Sequence, residues 1–122
     1  MINIDYNSGL PIYEQIIEQF KINIMKGNFA AGDPVVSVRK MAASLQITPS
    51  TVAKAYTELE RQGIIQTVRG KGTFIADVKP AETKFDVEEC TKKMLSEVIE
   101  LKHSGYSLDD VKRVVEELYN SI

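Results

Sequence analysis

The residues best suited to chemistry lie at positions 48–51, where the pattern predicts the start of a helix. Thr48 and Pro49 are typical of a helix N-cap and first helical position, and Ser50 and Thr51 follow them. Hydroxyl groups bond to phosphates or base edges, and small side chains let a helix start enter a groove about 12 Å wide. Free N–H groups and the positive helix end also suit a phosphate. The segment predicts a helix that docks on nucleic acid, although an ordinary cap is the simpler explanation of these residues alone.

A second candidate is the basic turn at residues 69–72. Arg69 and Lys71 alternate there with Gly70 and Gly72, and β-rich runs lie on both sides, which predicts a hairpin. Two cations on a thin loop suit a sugar-phosphate chain, because the glycines let the backbone approach it closely or slip into a minor groove. Taken alone, the segment is also consistent with an ordinary hairpin turn.

Charge is distributed unevenly along the chain. Residues 34–76 hold six basic and two acidic residues, a net charge of +4, whereas residues 77–122 hold seven and eleven, a net charge of −4. Lys54 lies at helical spacing from Ser50, on the outer face of the same predicted helix. This partition suggests a nucleic-acid face joined to a segment that need not touch it, with chance clustering of solvated charge as the alternative.

Three helices and the hairpin are predicted to position these residues. The first helix runs from Pro11 to Gly27, Ser37 caps a short second helix, and the third ends at Gly63. A short helix, a tight turn and another helix are the parts of a helix-turn-helix. The apolar residues at helical spacing are Ile12, Tyr13, Ile16, Ile17, Phe20 and Ile24, then Val38, Met41, Ala42 and Leu45, then Val52, Ala55, Tyr56 and Leu59.

The tail is predicted to form a linker at 77–84 and two amphipathic helices at 85–122. Two such helices cannot bury their apolar faces by themselves, so they must pack on the main domain or on another chain. Cys90 on this stripe is expected to be a small buried hydrophobe rather than half of a redox pair, and His103 to lie near a helix end. The stripes comprise Val87, Cys90, Met94, Leu95, Val98, Ile99 and Leu101, then Leu108, Val111, Val115, Leu118 and Ile122.

Composition narrows the class of protein. The 122 residues allow one domain, or one domain with an appendage, and no apolar run approaches the roughly 18 residues that span a bilayer. The start lacks the features of a signal peptide, and a single cysteine cannot form an intrachain disulfide, so we expect a cytoplasmic protein without membrane partners. No catalytic set, metal-ligand spacing or phosphate loop is found, so we expect no enzyme, metal or cofactor.

The order and spacing of three segments resemble the winged helix-turn-helix domain of the GntR family of bacterial transcription regulators. The first segment, residues 32–42, reads GDPVVSVRKMA; the second, residues 51–63, reads TVAKAYTELERQG; the third, residues 69–75, reads RGKGTFI. The family's Leu-Pro is replaced here by Val35 and Val36, which could loosen the start of the second helix. The resemblance covers residues 11–76, and the 46-residue tail resembles that of the short YtrA-like subfamily, whose tail helices mainly form a dimer.

This resemblance implies a mainly α fold with a small β-hairpin wing and a two-helix dimerisation tail. The expected domains are a winged helix-turn-helix at 1–76, the linker at 77–84 and the tail at 85–122. The implied function is a homodimeric regulator, a repressor by analogy, on a roughly palindromic double-stranded operator, with any small-molecule effector unknown. The alternative is a small helical protein-interaction module without DNA binding. The family's DNA-contacting positions fall on Arg39, Thr48, Ser50, Thr51, Arg69, Lys71 and Gly72, to which the outward face of its helix adds Lys54.

Overall fold

The computed structural model describes residues 2–77 and 86–122. Contacts divide the chain into two compact units, one ending at residue 83 and the other beginning at residue 84. Apart from Asp77, the predicted linker lies outside the described residues. The elements, in chain order, are α1 (Ile12–Met25), β1 (Pro34–Val35), α2 (Val38–Leu45), α3 (Pro49–Arg61), β2 (Ile65–Val68), β3 (Gly72–Ile75), α4 (Val87–His103) and α5 (Leu108–Asn120).

Helix α1 places the predicted apolar stripe in the core of the first unit. Ile16 and Phe20 are fully or almost fully buried, and the Phe20 ring meets the ring of Tyr56 on α3 edge-on at 5.9 Å. The helix begins one residue later than predicted, because Pro11 has ψ 145° and is the N-cap. Gly27 follows the helix with φ +78°, a conformation that glycine adopts without strain.

The helix-turn-helix forms as predicted from capping and periodicity. The Ser37 hydroxyl accepts a hydrogen bond from the Lys40 amide at 3.2 Å and so starts α2. Gln46 ends α2 in the left-handed conformation at φ 55°, which turns the chain towards α3. The inner face of α3 then packs against α1 and α2 through Val52, Ala55, Tyr56 and Leu59, all of which are buried.

The predicted hairpin is part of a three-stranded antiparallel sheet in the order β1-β3-β2. Ile65 and Ile75 pair across β2 and β3 and are both buried, so they attach the hairpin to the core. Strand β1 was not predicted, because it is two residues long and follows a segment that indicated only a chain break. Pro34 cannot donate to a ladder, which fits its place on an edge strand.

The second unit consists of α4 and α5. The Asp86 carboxylate accepts a hydrogen bond from the Glu89 amide at 3.1 Å, and Ser107 and Asp110 form a capping box at the start of α5. Neither helix contains a buried residue. Cys90 is half-buried within the single chain, and its full burial on the apolar stripe stays a prediction. His103 lies in the last turn of α4, as predicted.

Candidate nucleic-acid interface

The start of α3 presents a cluster of three hydroxyl groups. Thr48 is the N-cap, as predicted, but its side chain bonds to hydroxyls rather than to the backbone. The Oγ1 atoms of Thr48 and Thr51 lie 3.0 Å apart, and Ser50 Oγ donates to Thr48 Oγ1 at 3.4 Å. Thr48 and Ser50 are exposed and Thr51 is half-buried. The hydroxyls are therefore held by one another, in a weak arrangement that a stronger partner can replace.

Lys54 contacts a residue that the sequence did not single out. Its ammonium nitrogen lies 4.0 Å from the centroid of the Tyr13 ring, which is a cation–π contact. An open groove of about 470 Å³ is lined by both residues and by Ser50 and Thr51. The Tyr13 hydroxyl donates to Glu14 Oε1 at 3.2 Å, and this bond raises the pKa of Tyr13. The structure thus brings the first turn of α1 beside three of the predicted site residues.

Arg61, although on α3, is engaged locally. Its Nε atom donates to Glu58 Oε2 at 2.9 Å, and Gln62 Nε2 donates to Glu58 Oε1 at 2.8 Å. The hydrogen bonds from Arg61 and then from Gln62 lower the pKa of Glu58 to about 2. The C-terminal end of α3 therefore carries a paired charge, whereas its N-terminal end carries the exposed hydroxyls and Lys54.

The wing turn exposes both of its cations. Arg69 and Lys71 are exposed, and neither forms an ion pair with a described residue. The turn is closed by the Lys71 amide, which donates to the Val68 carbonyl at 2.9 Å. Gly70 and Gly72 have φ +79° and +115°, so the turn requires glycine at these positions. A Cβ atom at Gly72 would meet nothing within 4 Å, so backbone conformation and not crowding requires the glycine.

Arg39 is the one predicted site residue on α2. It is exposed in the first turn of α2, and it makes no hydrogen bond or ion pair with the described part of the chain. The segment before it is fixed, since the Tyr56 hydroxyl donates to the Val36 carbonyl at 2.8 Å. Burial raises the pKa of Tyr56 to about 12, so this donor stays protonated at neutral pH. Val35 and Val36, where the family has Leu-Pro, are thus tied to α3 and the sheet.

Other kinds of site find no support in residues 2–77 and 86–122. No group of three or more His, Cys, Asp or Glu side chains in these ranges could hold a metal ion. No helix within them combines the length and the apolar character that crossing a membrane requires.

Comparison with known proteins decides the family. Residues 12–75 match the profile of the bacterial regulatory proteins of the gntR family. The chain belongs to the GntR family. It is 40% identical to the HTH-type transcriptional repressor YtrA of Bacillus subtilis, over 97% of this chain and 92% of that protein. The predicted family and YtrA-like subfamily are therefore confirmed.

Two solved structures of similar proteins confirm the fold. A protein described as a transcriptional antiterminator from Listeria monocytogenes EGD-e superimposes with a TM-score of 0.85 at 35% identity, covering 98% of this chain and 90% of its own. AraR(DBD), solved in complex with operator ORR3, has a TM-score of 0.52 at 26% identity, covering 61% of this chain and 89% of its own. The chain is a winged helix-turn-helix, DNA-binding transcription regulator, and its family consists of regulators rather than enzymes.

Proposed function

We propose that this GntR-family protein is a cytoplasmic repressor that binds a two-fold operator as a homodimer. The observation that carries the proposal is the hydroxyl cluster at the start of α3, in which Thr48 and Ser50 are exposed and Thr51 is half-buried. A helix that enters the major groove by its N-terminal end brings such groups to base edges and phosphates. Occupying a promoter in this way would block transcription, as the name of the similar repressor YtrA suggests.

Base reading is assigned to the hydroxyl cluster. The hydroxyls bond to one another in the free protein, so each can turn to a base edge or a phosphate on docking without leaving a buried group unpaired. Thr and Ser hydroxyls accept from and donate to several bases, so the sequence preference of each contact is moderate. Specificity then arises from several such contacts together with the shape of the duplex.

Backbone binding is assigned to four cations and one glycine. Arg39, Lys54, Arg69 and Lys71 are exposed, and none of them forms an ion pair with a described residue. Each such cation that meets a phosphate releases a condensed counterion, which makes affinity fall with salt. Gly72 has no side chain, so the wing backbone can approach the sugar-phosphate chain closely at this position.

Dimer formation is assigned to the apolar faces of α4 and α5. In the single chain, more than half of Leu95, Ile99 and Leu118 is exposed, and so is about half of Met94 and Val115. Exposed apolar area on this scale is costly in water, and a second copy of the same helices would cover it. A two-fold dimer would then place two winged domains on two half-sites. The competing arrangement packs these faces on the winged domain of the same chain.

Selection of bound sequences from random duplex DNA, paired with sedimentation of the free protein, tests this function. We expect two inverted half-sites and a dimer at micromolar concentration. Thr51→Val should lower the preference for the selected sequence, because it keeps the shape of the side chain and removes the hydroxyl. Ala53→Ser is the control and should keep the preference, because it changes an exposed residue of the same helix outside the predicted set. A monomer with no enriched sequence would contradict the proposal and favour an interaction module without DNA binding.

A further inference from the structure

The winged domain contains a cavity of about 300 Å³ that none of the predicted DNA-contacting residues lines. Its apolar wall includes Phe20 and Phe29, whose rings lie 5.5 Å apart at 58°, and Met41 of α2. Phe20 and Met41 are buried, so this wall is part of the core and is largely preformed. The volume lies at the small end of the range for ligand sites, about 300–1,000 Å³.

Two polar side chains at this cavity, those of Asp33 and Asn28, offer acceptor oxygens. Asp33 accepts a hydrogen bond from the Ala30 amide through Oδ2 at 2.8 Å, which leaves Oδ1 without a hydrogen bond to any described residue. Asn28 donates through Nδ2 to Asn23 Oδ1 at 3.0 Å, which leaves its own carbonyl oxygen as an acceptor. A carboxylate and an amide oxygen beside aromatic rings complement a ligand with a donating, cationic head and a small apolar body.

The segment that forms one side of the cavity is tied to both DNA-binding elements. Val36 lines the cavity, and its carbonyl accepts the hydrogen bond from Tyr56 of α3. Pro34 and Val35 line it too, and they pair with Phe74 and Thr73 of β3 in the wing. A ligand that displaces this segment would therefore act on α3 and on the wing together.

We propose that this cavity binds a small apolar amine and that its occupancy lowers affinity for the operator. The regulatory part rests on the proposed function, whereas ligand binding stands without it. The amine head meets Asp33 and Asn28, and the apolar body lies against Phe20, Phe29 and Met41. Moving Val36 away from these rings strains its bond to Tyr56, so α3 and the wing lose the relative placement that binds the duplex.

The ligand site is tested on the full chain without DNA, with phenethylammonium as the probe and methyl and amide NMR shifts as the readout. We expect saturable shifts at Asp33, Val35, Val36 and Met41, with a dissociation constant on the order of 1 mM for nine heavy atoms. The comparison ligand is 3-phenylpropanoate, which has the same ring and a two-carbon chain but the opposite charge. It should bind at least fivefold more weakly.

Two variants and one control locate the site. Asp33→Asn retains an acceptor for the Ala30 amide and should weaken phenethylammonium binding about fivefold, because it removes a charge-assisted bond. Val36→Phe should block binding by filling the cavity. Asp86→Asn exchanges a capping carboxylate in the second unit and should leave the affinity for phenethylammonium unchanged. The site would be overturned if phenethylammonium and 3-phenylpropanoate bound with equal affinity, or if Asp33→Asn bound phenethylammonium as tightly as the unmodified chain does. It would also be overturned if phenethylammonium gave no saturable shift at 10 mM.

Regulation is tested by fluorescence anisotropy with a selected duplex, at constant total ionic strength. Saturating phenethylammonium should lower operator affinity at least threefold for the unmodified chain and not for Asp33→Asn. If sodium chloride lowers operator affinity as much as phenethylammonium does, the proposal is overturned. It is also overturned if phenethylammonium binds to the cavity without a change in operator affinity. Absence of duplex binding before any amine is added would instead overturn the proposed function and leave the ligand titration intact.

Discussion

The ammonium group of Lys54 on α3 lies 4.0 Å from the centre of the Tyr13 ring on α1. The ring limits the directions open to a flexible lysine side chain, so it would reduce the entropy lost on the proposed contact of Lys54 with a phosphate. A contact of this kind contributes about 0.5–1 kcal/mol at an exposed site. Helix α1, which otherwise forms the core, thereby lies beside the proposed nucleic-acid interface.

Replacing Tyr13 should weaken operator binding through Lys54. We expect Tyr13→Leu to lower the affinity about two- to fivefold, because the cation–π contact is lost. Tyr13→Phe keeps the aromatic ring and should stay within twofold of the unmodified chain. Anisotropy titrations at one salt concentration measure both. If Tyr13→Leu lowers operator affinity by the same factor in a Lys54→Ala background, the two residues are not coupled and the explanation is wrong.

Removing the Tyr56 hydroxyl should lower stability. The hydroxyl donates to the Val36 carbonyl at 2.8 Å, and Tyr56 is only 7% exposed, so Tyr56→Phe leaves a partly buried carbonyl without its partner. We expect the free energy of unfolding in urea to fall by about 1–2 kcal/mol. Tyr6→Phe is the matched control, because Tyr6 makes a similar bond to the Leu45 carbonyl at 3.0 Å but is 65% exposed. If Tyr56→Phe and Tyr6→Phe lose the same free energy of unfolding, burial does not strengthen the bond between Tyr56 and Val36 and the explanation is wrong.

Much of the fold could be predicted from local patterns. The stripe through Ile16 and Phe20 was visible because apolar residues recur at helical spacing, and Ser37 marked a helix start because its hydroxyl caps a nearby amide. Strand β1 was not visible, since a two-residue strand has no periodicity and depends on its pairing with β3. In the same way, the contact between Tyr13 and Lys54 joins residues 41 positions apart, and no local signal distinguishes that tyrosine from its apolar neighbours.

Details of side-chain bonding were also beyond the sequence. Thr48 has the residue type and position of an N-cap, yet its hydroxyl pairs with that of Thr51. The choice between a backbone and a side-chain partner depends on rotamers, which residue type does not fix. Among the predicted site residues, Ser50, Thr51 and Lys54 share a groove, Arg69, Lys71 and Gly72 share the wing turn, and Arg39 lies on a separate helix.

Stability should depend on pH through Glu58. Hydrogen bonds from Arg61 and Gln62 lower its pKa in the folded state from 4.5 to about 2, so its contribution is present above about pH 4.5 and is lost as the pH falls towards 2. Glu58→Gln should flatten this part of the stability profile and cost less than about 1 kcal/mol at pH 7, because the pair is largely at the surface. Urea unfolding at several pH values measures it. Glu60→Gln, on the same helix, should leave the dependence of stability on pH unchanged. If Glu60→Gln flattens it as much as Glu58→Gln does, the assignment to Glu58 is wrong.

A charge on the apolar face of α5 should disrupt the proposed dimer. Val115→Glu places a carboxylate where the proposed interface excludes water, so we expect mostly monomer in sedimentation at micromolar concentration. Asn120→Glu adds the same charge to an exposed position two residues after Leu118, on the other side of the helix, and should remain dimeric. A dimeric Val115→Glu protein, or an unmodified chain that sediments as a monomer, would count against the tail interface.

The central claim is that the start of α3 reads sequence while the wing binds the backbone. The most direct measurement is the affinity of the unmodified chain, Thr51→Val and Lys71→Ala for the selected and a scrambled duplex over a range of salt. We predict that Lys71→Ala weakens both duplexes alike and reduces the salt slope by about one unit, whereas Thr51→Val lowers the preference for the selected duplex at an unchanged slope. An unmodified chain that binds both duplexes equally at physiological ionic strength, or a Lys71→Ala protein with unchanged affinity and slope, would contradict the account.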